Sequence, residues 1–333
     1  MYNINLISGD GIGREVMDAG EYLLDKIDLE FSFTYGHAGY HCFKKAGTTL
    51  PEETVKKAKK SDAILFGAIT STPGQPSPII NLRQKLDMYA NLRPIKSYEG
   101  VNCLYDDIDI LIVRENTEGL YSQVEYEEDD KVIAERRITK EASEKISKIA
   151  FEQCQKLNKN KVTCVHKSNV LKKTDGVFKD AFYKIGEQYP QIEKNDYYVD
   201  AAAMYLVTNP QRYDVIVSTN LFGDILSDEG AGLVGGLGLA PSGNIGDKYG
   251  LFEPVHGSAP DITGKNIANP ASMILSIAMM LNYLDEEEYA KKINDATEAV
   301  LKEGKIVTPD LGGQATTMEM TKEITRKILE GDN

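Results

Sequence analysis

Two aspartates spaced four residues apart form the clearest chemical pattern in this sequence. Asp224 and Asp228 lie in TNLFGDILSDEGAG, and in a helix this spacing places both carboxylates on one face. Their repulsion costs only about 0.2–0.5 kcal/mol where water surrounds them. The neighbouring residues are apolar or glycine, and a hard divalent cation would relieve the repulsion there. The spacing therefore leaves open both an ordinary surface pair and a site for Mg²⁺ or Mn²⁺, since oxygen ligands disfavour zinc.

Three arginines stand among apolar residues near the predicted ends of strands or helices. They are Arg83 in IINLRQKLD, Arg93 in ANLRP and Arg114 in LIVREN. A guanidinium pairs with a carboxylate through two hydrogen bonds. One such arginine is typical of a structural ion pair, whereas three that converge would form a pocket for a polycarboxylate substrate. The sequence alone does not decide between these interpretations.

Two further residues could move protons. Lys167 lies in VHKSN at the predicted end of a strand, and Tyr121 lies in ENTEGLY. A lysine loses its proton near neutral pH where burial or neighbouring cations disfavour its charge. Most lysines and tyrosines have no such role, so both residues are candidates by type alone.

The segments that must position these residues alternate between strand and helix patterns, which predicts an α/β fold. Short β-branched or apolar runs predict strands at INLIS near the start, 62–68, 109–116, 161–169 and 214–220. Amphipathic stretches with early acidic residues and late lysines predict helices at 51–60, 139–158 and 175–189.

The composition of two other stretches, 125–130 and 230–247, predicts their environment. The acidic run at 125–130 is typical of solvated surface. The glycine-rich stretch at 230–247 is too apolar for a flexible linker and indicates tightly packed turns.

The motif GDGIG at 9–13 follows a predicted strand and resembles the dinucleotide fingerprint G-x-G-x-x-G. Its third glycine is replaced by Arg14, and the next predicted strand, LEFSFTY, ends without the expected acidic residue. The alternative is a tight strand-to-helix turn, which we prefer to a Rossmann site.

Composition excludes several classes of function. The 333 residues include 38 Lys and Arg against 51 Asp and Glu, a net charge of −13, which disfavours nucleic acid as a partner. Scattered cysteines and only four histidines disfavour a zinc site or a disulfide framework. The apolar stretch at 271–284 is too short to cross a bilayer, and the first residues do not resemble a signal peptide. We expect a cytoplasmic protein with no membrane partner.

Taken together, the motifs resemble those of the β-decarboxylating dehydrogenases, which include isocitrate, 3-isopropylmalate and homoisocitrate dehydrogenases. The resemblance runs from residue 4 to about 313. It rests on GDGIG, on LR followed ten residues later by LRP, and on RENTEGLY, VHKSNVLKKTDG, TNLFGDILSDE, GLAPSGNIGD and EPVHGSAPDITGKNIANP.

The resemblance implies a two-lobed fold with the site in the cleft between the lobes. Residues 1–92 and 236–333 would form the cofactor-binding lobe, and 93–235 the lobe for dimerisation, metal and substrate. The nucleotide site would be non-Rossmann. The implied cofactor contacts are Ile12, Asn169, Glu253, His256, Gly257, Ser258, Ala259, Asp261 and Asn269. An acidic residue at Asp261 implies NAD, because relatives that use NADP carry Lys-Tyr in place of Asp261-Ile262.

The resemblance also assigns the chemistry. It implies that Arg83, Arg93 and Arg114 bind substrate carboxylates, and that Tyr121 and Lys167 form the acid/base pair. It further implies that Asp224 and Asp228 bind Mg²⁺ or Mn²⁺ with Asp200 from a second subunit. Lys167 would also reach across, so the active unit would be a homodimer or homotetramer with shared sites.

The segment before Arg83 would select the substrate. Ser77 matches a serine that holds a distal carboxylate in isocitrate enzymes, while Ile79 and Ile80 replace the Leu-Leu pair of isopropylmalate enzymes. This mixture favours the archaeal methanogen type of homoisocitrate dehydrogenase, with isopropylmalate and then isocitrate as alternatives. A non-catalytic regulatory subunit is disfavoured because the tyrosine, the lysine and the aspartates are all retained.

Overall fold

The computed structural model describes residues 1–330 and is a mixed α/β structure, as the alternating pattern predicts. The strands are β1 (Tyr2–Gly9), β2 (Phe31–Tyr35), β3 (Ala63–Ala68), β4 (Ala90–Lys96), β5 (Asp109–Glu115), β6 (Glu125–Glu128), β7 (Lys131–Ala134), β8 (Lys161–His166), β9 (Glu193–Tyr198), β10 (Val215–Ser218), β11 (Pro241–Ile245) and β12 (Gly250–Pro254). The helices are α1 (Gly13–Lys26), α2 (Tyr40–Ala46), α3 (Glu52–Ala58), α4 (Pro78–Lys85), α5 (Lys140–Lys156), α6 (Thr174–Gly186), α7 (Val199–Thr208), α8 (Asn220–Leu233), α9 (Ala271–Tyr283), α10 (Glu287–Glu303) and α11 (Thr317–Glu330).

The chain forms two compact units. Unit 1 comprises Met1–Leu86, Ser97–Asp106 and the residues from Val234 onward, and unit 2 comprises Asp87–Lys96 and Asp107–Leu233. Ser97–Asp106 lies inside the range 93–235 of the predicted second lobe, and in the structure it packs with unit 1.

The strands of unit 1 lie in the order β2, β1, β3, β12, β11. β1 pairs in parallel with β2 and β3, and β3 pairs in parallel with β12, whereas β11 runs antiparallel to β12. β3 is buried along its whole length, which explains its unbroken apolar run.

Helix α9 forms the centre of the unit 1 core. Its residues are apolar almost all round, and most are fully buried against α1, α10 and the sheet. This helix is the apolar stretch at 271–284 in the sequence. Among residues 1–330, no helix is long and apolar enough to cross a membrane.

The strands of unit 2 lie in the order β4, β5, β10, β8, β9. β5, β10, β8 and β9 are parallel, and β4 runs antiparallel to β5. Parallel strands end at the same edge of a sheet. Arg114 near the end of β5, Asn220 just after β10 and Lys167 just after β8 therefore lie along one edge.

The structure adds detail to three of the sequence-based predictions. The strand predicted at 161–169 ends at His166, because the backbone turns at Lys167. The acidic run at 125–130 is exposed as expected, but its first four residues form β6 of an antiparallel hairpin with β7. The glycine-rich stretch at 230–247 contains the end of α8 and all of β11 as well as turns.

Candidate active site

Arg114 and Asp224 form the centre of a polar group in unit 2. Arg114 is fully buried, its Nη1 donates to Asp224, and its Nε and Nη2 donate to Asn220 Oδ1 at 3.0 and 2.7 Å. Helix α8 carries both partners and approaches β5 closely at Gly223. A Cβ there would lie 2.9 Å from the Cβ of Arg114. Only glycine allows this approach.

Arg93 on β4 joins the same group. Its Nη1 donates to Ser227 Oγ at 2.7 Å and to Asp228 Oδ1 at 2.9 Å, and lies 3.2 Å from Asp224 Oδ1. Asp224 and Asp228 are thus on one face of α8, as their spacing predicts, and two guanidinium groups offset their repulsion. Burial raises the pKa of Asp228, and this effect outweighs the opposing attraction of Arg93.

Tyr121 completes this group from the turn that follows β5. Its hydroxyl donates to Asp224, and the Arg114 guanidinium lies 4.8 Å from its ring centroid. Burial raises the pKa of Tyr121, and the bond to Asp224 raises it further, so the phenol stays protonated at neutral pH. It is a proton donor in this state.

Glu115 holds the turn that carries Tyr121, and sequence reasoning missed this role. The buried carboxylate accepts from the backbone N–H of Thr117 at 2.7 Å and of Glu118 at 3.0 Å. The available signal was Glu-x-Thr inside RENTEGLY, since carboxylates and hydroxyls commonly bond neighbouring backbone groups in turns.

Lys167 and Asp200 form a second group in unit 2. Lys167 Nζ donates to Asp200, a largely exposed residue near the start of α7. This bond lowers the pKa of Asp200. Over the residues that the structure describes, no three His, Cys, Asp or Glu side chains gather closely enough to hold a metal ion. The three predicted metal ligands therefore do not meet within one chain.

In unit 1, the GDGIG turn packs against the segment that follows β12. Ile12 N–H donates to Ser258 O at 2.9 Å, and Thr70 Oγ1 donates to Ser258 Oγ at 2.8 Å. Gly11 has φ +56°, and a Cβ on it would lie 2.0 Å from Ser258 O. This glycine serves a tight turn against the chain's own backbone, which supports the interpretation that we preferred to a Rossmann fingerprint.

Asp10 anchors this turn, another role that sequence reasoning missed. The carboxylate is buried and accepts from the backbone N–H groups of Tyr40, His41 and Thr70 at 2.7, 2.9 and 3.0 Å. These bonds lower the pKa of Asp10 although its burial opposes them. The aspartate ties the turn after β1 to the segment after β3 and to the first residues of α2.

Arg83 and Glu253 form a buried ion pair in unit 1. Arg83 Nη2 donates to Glu253 Oε1 at 2.8 Å, and Asn244 Nδ2 donates to the same oxygen at 2.8 Å. Ser77 precedes the first turn of α4, which also carries Arg83, and its side chain makes no capping hydrogen bond. The ion pair thus joins Arg83, a predicted substrate residue, to Glu253, a predicted cofactor contact. Ser77, the predicted specificity residue, lies at the start of the helix that carries Arg83.

The remaining predicted cofactor contacts lie between β12 and α9. Asn269 Nδ2 donates to Asp310 Oδ2 at 2.9 Å, and Asn269 Oδ1 accepts from Ala271 N–H at the start of α9. Burial lowers the pKa of His256, which favours a neutral ring. Asp261 is exposed in a turn. Gly257 and Ala259 lie in the same segment, and Asn169 lies in unit 2, in the turn after Lys167.

Comparisons with known proteins agree with the fold and the motifs. A family model described as isocitrate/isopropylmalate dehydrogenase matches residues 3–328. A 3-isopropylmalate dehydrogenase of Methanothermobacter thermautotrophicus is 55% identical over 98% of both chains. A homoisocitrate dehydrogenase of Methanocaldococcus jannaschii is 50% identical over 99% of this chain and 100% of the relative.

A solved structure shows the same fold. Isocitrate dehydrogenase from Methylococcus capsulatus superposes with a TM-score of 0.95 at 41% identity, and the match covers 98% of this chain and 99% of that one. The chain therefore belongs to the isocitrate/isopropylmalate dehydrogenase family and is an enzyme of the decarboxylating dehydrogenase class.

Proposed function

We propose that the chain catalyses the NAD-dependent oxidative decarboxylation of a 3-substituted malate. One observation carries the proposal: two arginines, a protonated phenol and two carboxylates meet around one helix. These residues are Arg93, Arg114, Tyr121, Asp224 and Asp228. The guanidinium groups suit substrate carboxylates, and the phenol suits proton donation.

The donor set of α8 fits a hard divalent cation. Asp224 and Asp228 offer only carboxylate oxygens on one face, and both side chains remain partly accessible. Mg²⁺ or Mn²⁺ held there would polarise the oxygen at C2 of the substrate. Asp200 of a second copy is the proposed third ligand.

The protein residues have distinct proposed roles. Lys167 in its neutral form accepts the proton of the 2-hydroxyl as the hydride leaves C2, and a bound NAD would supply the hydride acceptor. The product is a 2-keto acid whose carboxylate lies β to the carbonyl, which allows CO₂ to leave. Tyr121 then donates its proton to C3. Arg83, Arg93 and Arg114 hold the carboxylates and so fix the orientation of the substrate.

The choice of NAD is proposed from Asp261. A carboxylate accepts hydrogen bonds from ribose hydroxyls and repels a 2′-phosphate. Unit 1 would hold the cofactor, through the segment from Glu253 to Asn269 and the GDGIG turn on which Ser258 packs.

Exchanging the proposed ribose contact should change cofactor preference. We expect Asp261→Lys with Ile262→Tyr to shift the ratio of kcat/KM for NAD over NADP toward NADP by at least about tenfold, or ~1.4 kcal/mol. Asp261 is exposed, whereas Ile262 is partly buried against the core, so the melting temperature of the double variant is measured alongside its kinetics. Asp28→Lys makes the same charge change at another exposed position of unit 1 and should leave the ratio unchanged. An unaltered ratio in the double variant would refute the assignment.

Three 3-substituted malates are candidate substrates: 3-isopropylmalate, homoisocitrate and isocitrate. The relative named 3-isopropylmalate dehydrogenase is more similar than the one named homoisocitrate dehydrogenase, and Ile79 and Ile80 suit an apolar arm. Homoisocitrate, which the sequence favoured, rests on Ser77, whose hydroxyl makes no capping bond and could serve a distal carboxylate. We place 3-isopropylmalate first. The test is kcat/KM for homoisocitrate, 3-isopropylmalate and isocitrate with NAD and Mg²⁺ or Mn²⁺.

A charge at position 77 should separate the candidates. We expect Ser77→Glu to lower kcat/KM for homoisocitrate and isocitrate by at least about tenfold more than for 3-isopropylmalate, because it repels a distal carboxylate. Gln75→Glu adds the same charge at an exposed position of the same loop and is the control. An equal loss of kcat/KM on all three substrates would show that position 77 does not discriminate between their substituents at C3.

We further propose a homodimer, alone or within a tetramer, in which each site borrows Lys167 and Asp200 from the other copy. The proposed site residues of unit 2 fall into two groups, one around Asp224 and one at Lys167 and Asp200. Large apolar side chains on α7 and α8 are exposed, among them Met204 and Ile225. An exposed apolar surface of this kind suits a second copy of the chain.

A further inference from the structure

Hydrogen bonds fix the backbone at Lys167 and Ser168. Lys167 N–H donates to Asp175 Oδ2 at 2.6 Å, and its carbonyl accepts from Val170 and Leu171 at 3.0 and 2.8 Å. The next backbone N–H, that of Ser168, donates to Nδ1 of His166 at 3.1 Å. Both backbone polar groups of Lys167 and the N–H of Ser168 therefore have defined partners.

The His166 contact fixes the tautomer of the ring. Since Nδ1 accepts from Ser168, it carries no proton, and the proton of the neutral ring is on Nε2. Nε2 lies 2.9 Å from Asp196 Oδ2, which accepts it. Asp196 also accepts from Lys179 at 2.9 Å and from Tyr183 at 2.5 Å. The ring is fully buried, so it cannot exchange these partners for water.

We propose that His166 is a positioning residue for Lys167: Asp196 holds the ring as the Nε2–H tautomer, and Nδ1 then fixes the turn from which the lysine side chain extends. This inference rests on the proposed proton-accepting role of Lys167. A shift of about 1 Å in a reacting group can cost on the order of 100-fold in rate.

Two substitutions test the roles of the two ring nitrogens separately. In His166→Asn the amide oxygen can take the place of Nδ1 and accept from Ser168, whereas the bond to Asp196 is lost. In His166→Gln the amide N–H can take the place of Nε2 and reach Asp196, whereas Ser168 N–H is left buried without its acceptor. Asp196 keeps Lys179 and Tyr183 in both variants.

We expect His166→Gln to lower kcat by about 100-fold with little change in KM. The displaced lysine would impair proton transfer in the chemical step but not substrate binding. The isotope effect with substrate deuterated at C2 should rise in this variant. His166→Asn should keep kcat within about threefold of the unaltered enzyme, since it restores the acceptor. His37→Gln, at an exposed histidine of unit 1, is the control and should change neither parameter.

Nitrogen NMR on the histidine-labelled, unaltered enzyme gives a reading independent of turnover. The signal that disappears in His166→Asn should show a bare Nδ1 and a protonated Nε2. A protonated Nδ1, equal losses in both variants, or no loss in either would overturn the proposal. The proposed function would instead be refuted if the unaltered enzyme did not turn over, or if Lys167→Ala were fully active. The NMR measurement would still show whether His166 has the tautomer that anchors the turn.

Discussion

Replacing Asp224 by asparagine is expected to lower kcat by about three orders of magnitude, on the scale of losing a charged group that faces the reacting atoms. The carboxylate is the point at which Tyr121, Arg114 and Arg93 meet. An amide of the same shape removes the negative charge that both guanidinium groups face. It also weakens the acceptor that orients the phenol and removes a ligand from the proposed cation site.

The measurement has two parts. Steady-state kinetics at increasing Mg²⁺ or Mn²⁺ should show a lower kcat and a higher metal requirement. The rise in melting temperature that the metal produces in the presence of substrate should shrink, because a ligand that binds more weakly stabilises the folded state less. Glu229→Gln makes the same chemical change on the same helix, outside the polar group, and is the control. Normal metal dependence in Asp224→Asn would exclude this residue as a ligand.

Four of the parallel strands, β3, β5, β8 and β10, were predictable because nearly all of their residues are buried. The parallel strand β9 is only partly buried and was not predicted. β3 and β5 are nearly continuous apolar runs, and such runs are specified by burial itself. β4 and β11 were not predictable in this way. β4 carries Pro94, and β11 carries Pro241 and Gly243, residues that disfavour strands. Their extended conformation is set by the neighbouring strands, and a single sequence does not show which strands those are.

The candidate site was predictable in part, and for two different reasons. The common face of Asp224 and Asp228 follows from helix geometry, and α8 confirms it. Their partners do not follow from spacing, because Arg93 and Arg114 reach α8 from two strands whose antiparallel pairing is a long-range property. The roles assigned to these residues came from the motif resemblance. They remain proposals until the variants are tested.

Supporting residues were the hardest to predict. Glu115, Asp10 and His166 are buried polar groups that bond backbone N–H groups of the turns that carry or adjoin proposed site residues. In a sequence each looks like any other polar residue at the end of an apolar run. Their significance follows from the cost of leaving a buried donor unpaired, which becomes visible only when the turn and its acceptor are seen together.

Mixed dimers of two inactive variants should regain activity when Lys167→Ala is combined with Asp224→Asn. They should stay inactive when Lys167→Ala is combined with Asp200→Asn. Suppose each site takes Tyr121 and Asp224 from its own chain and Lys167 and Asp200 from the other copy. A dimer of Lys167→Ala with Asp224→Asn then has both lesions at one site and an intact second site. We expect about half the wild-type kcat per dimer, since one of two symmetric sites is whole.

The matched control pairs Lys167→Ala with Asp200→Asn, where each site receives one lesion and no recovery is expected. Both kinds of mixed dimer can be made by coexpressing the two chains with different affinity tags and purifying over both. If the sites use residues of one chain only, neither pair recovers. If Lys167 is borrowed but Asp200 is not, the control pair recovers as well. Recovery of the first pair alone is the one outcome that fits a site borrowing both residues, because only then do the lesions of the first pair fall at one site while those of the control pair are divided between the two sites.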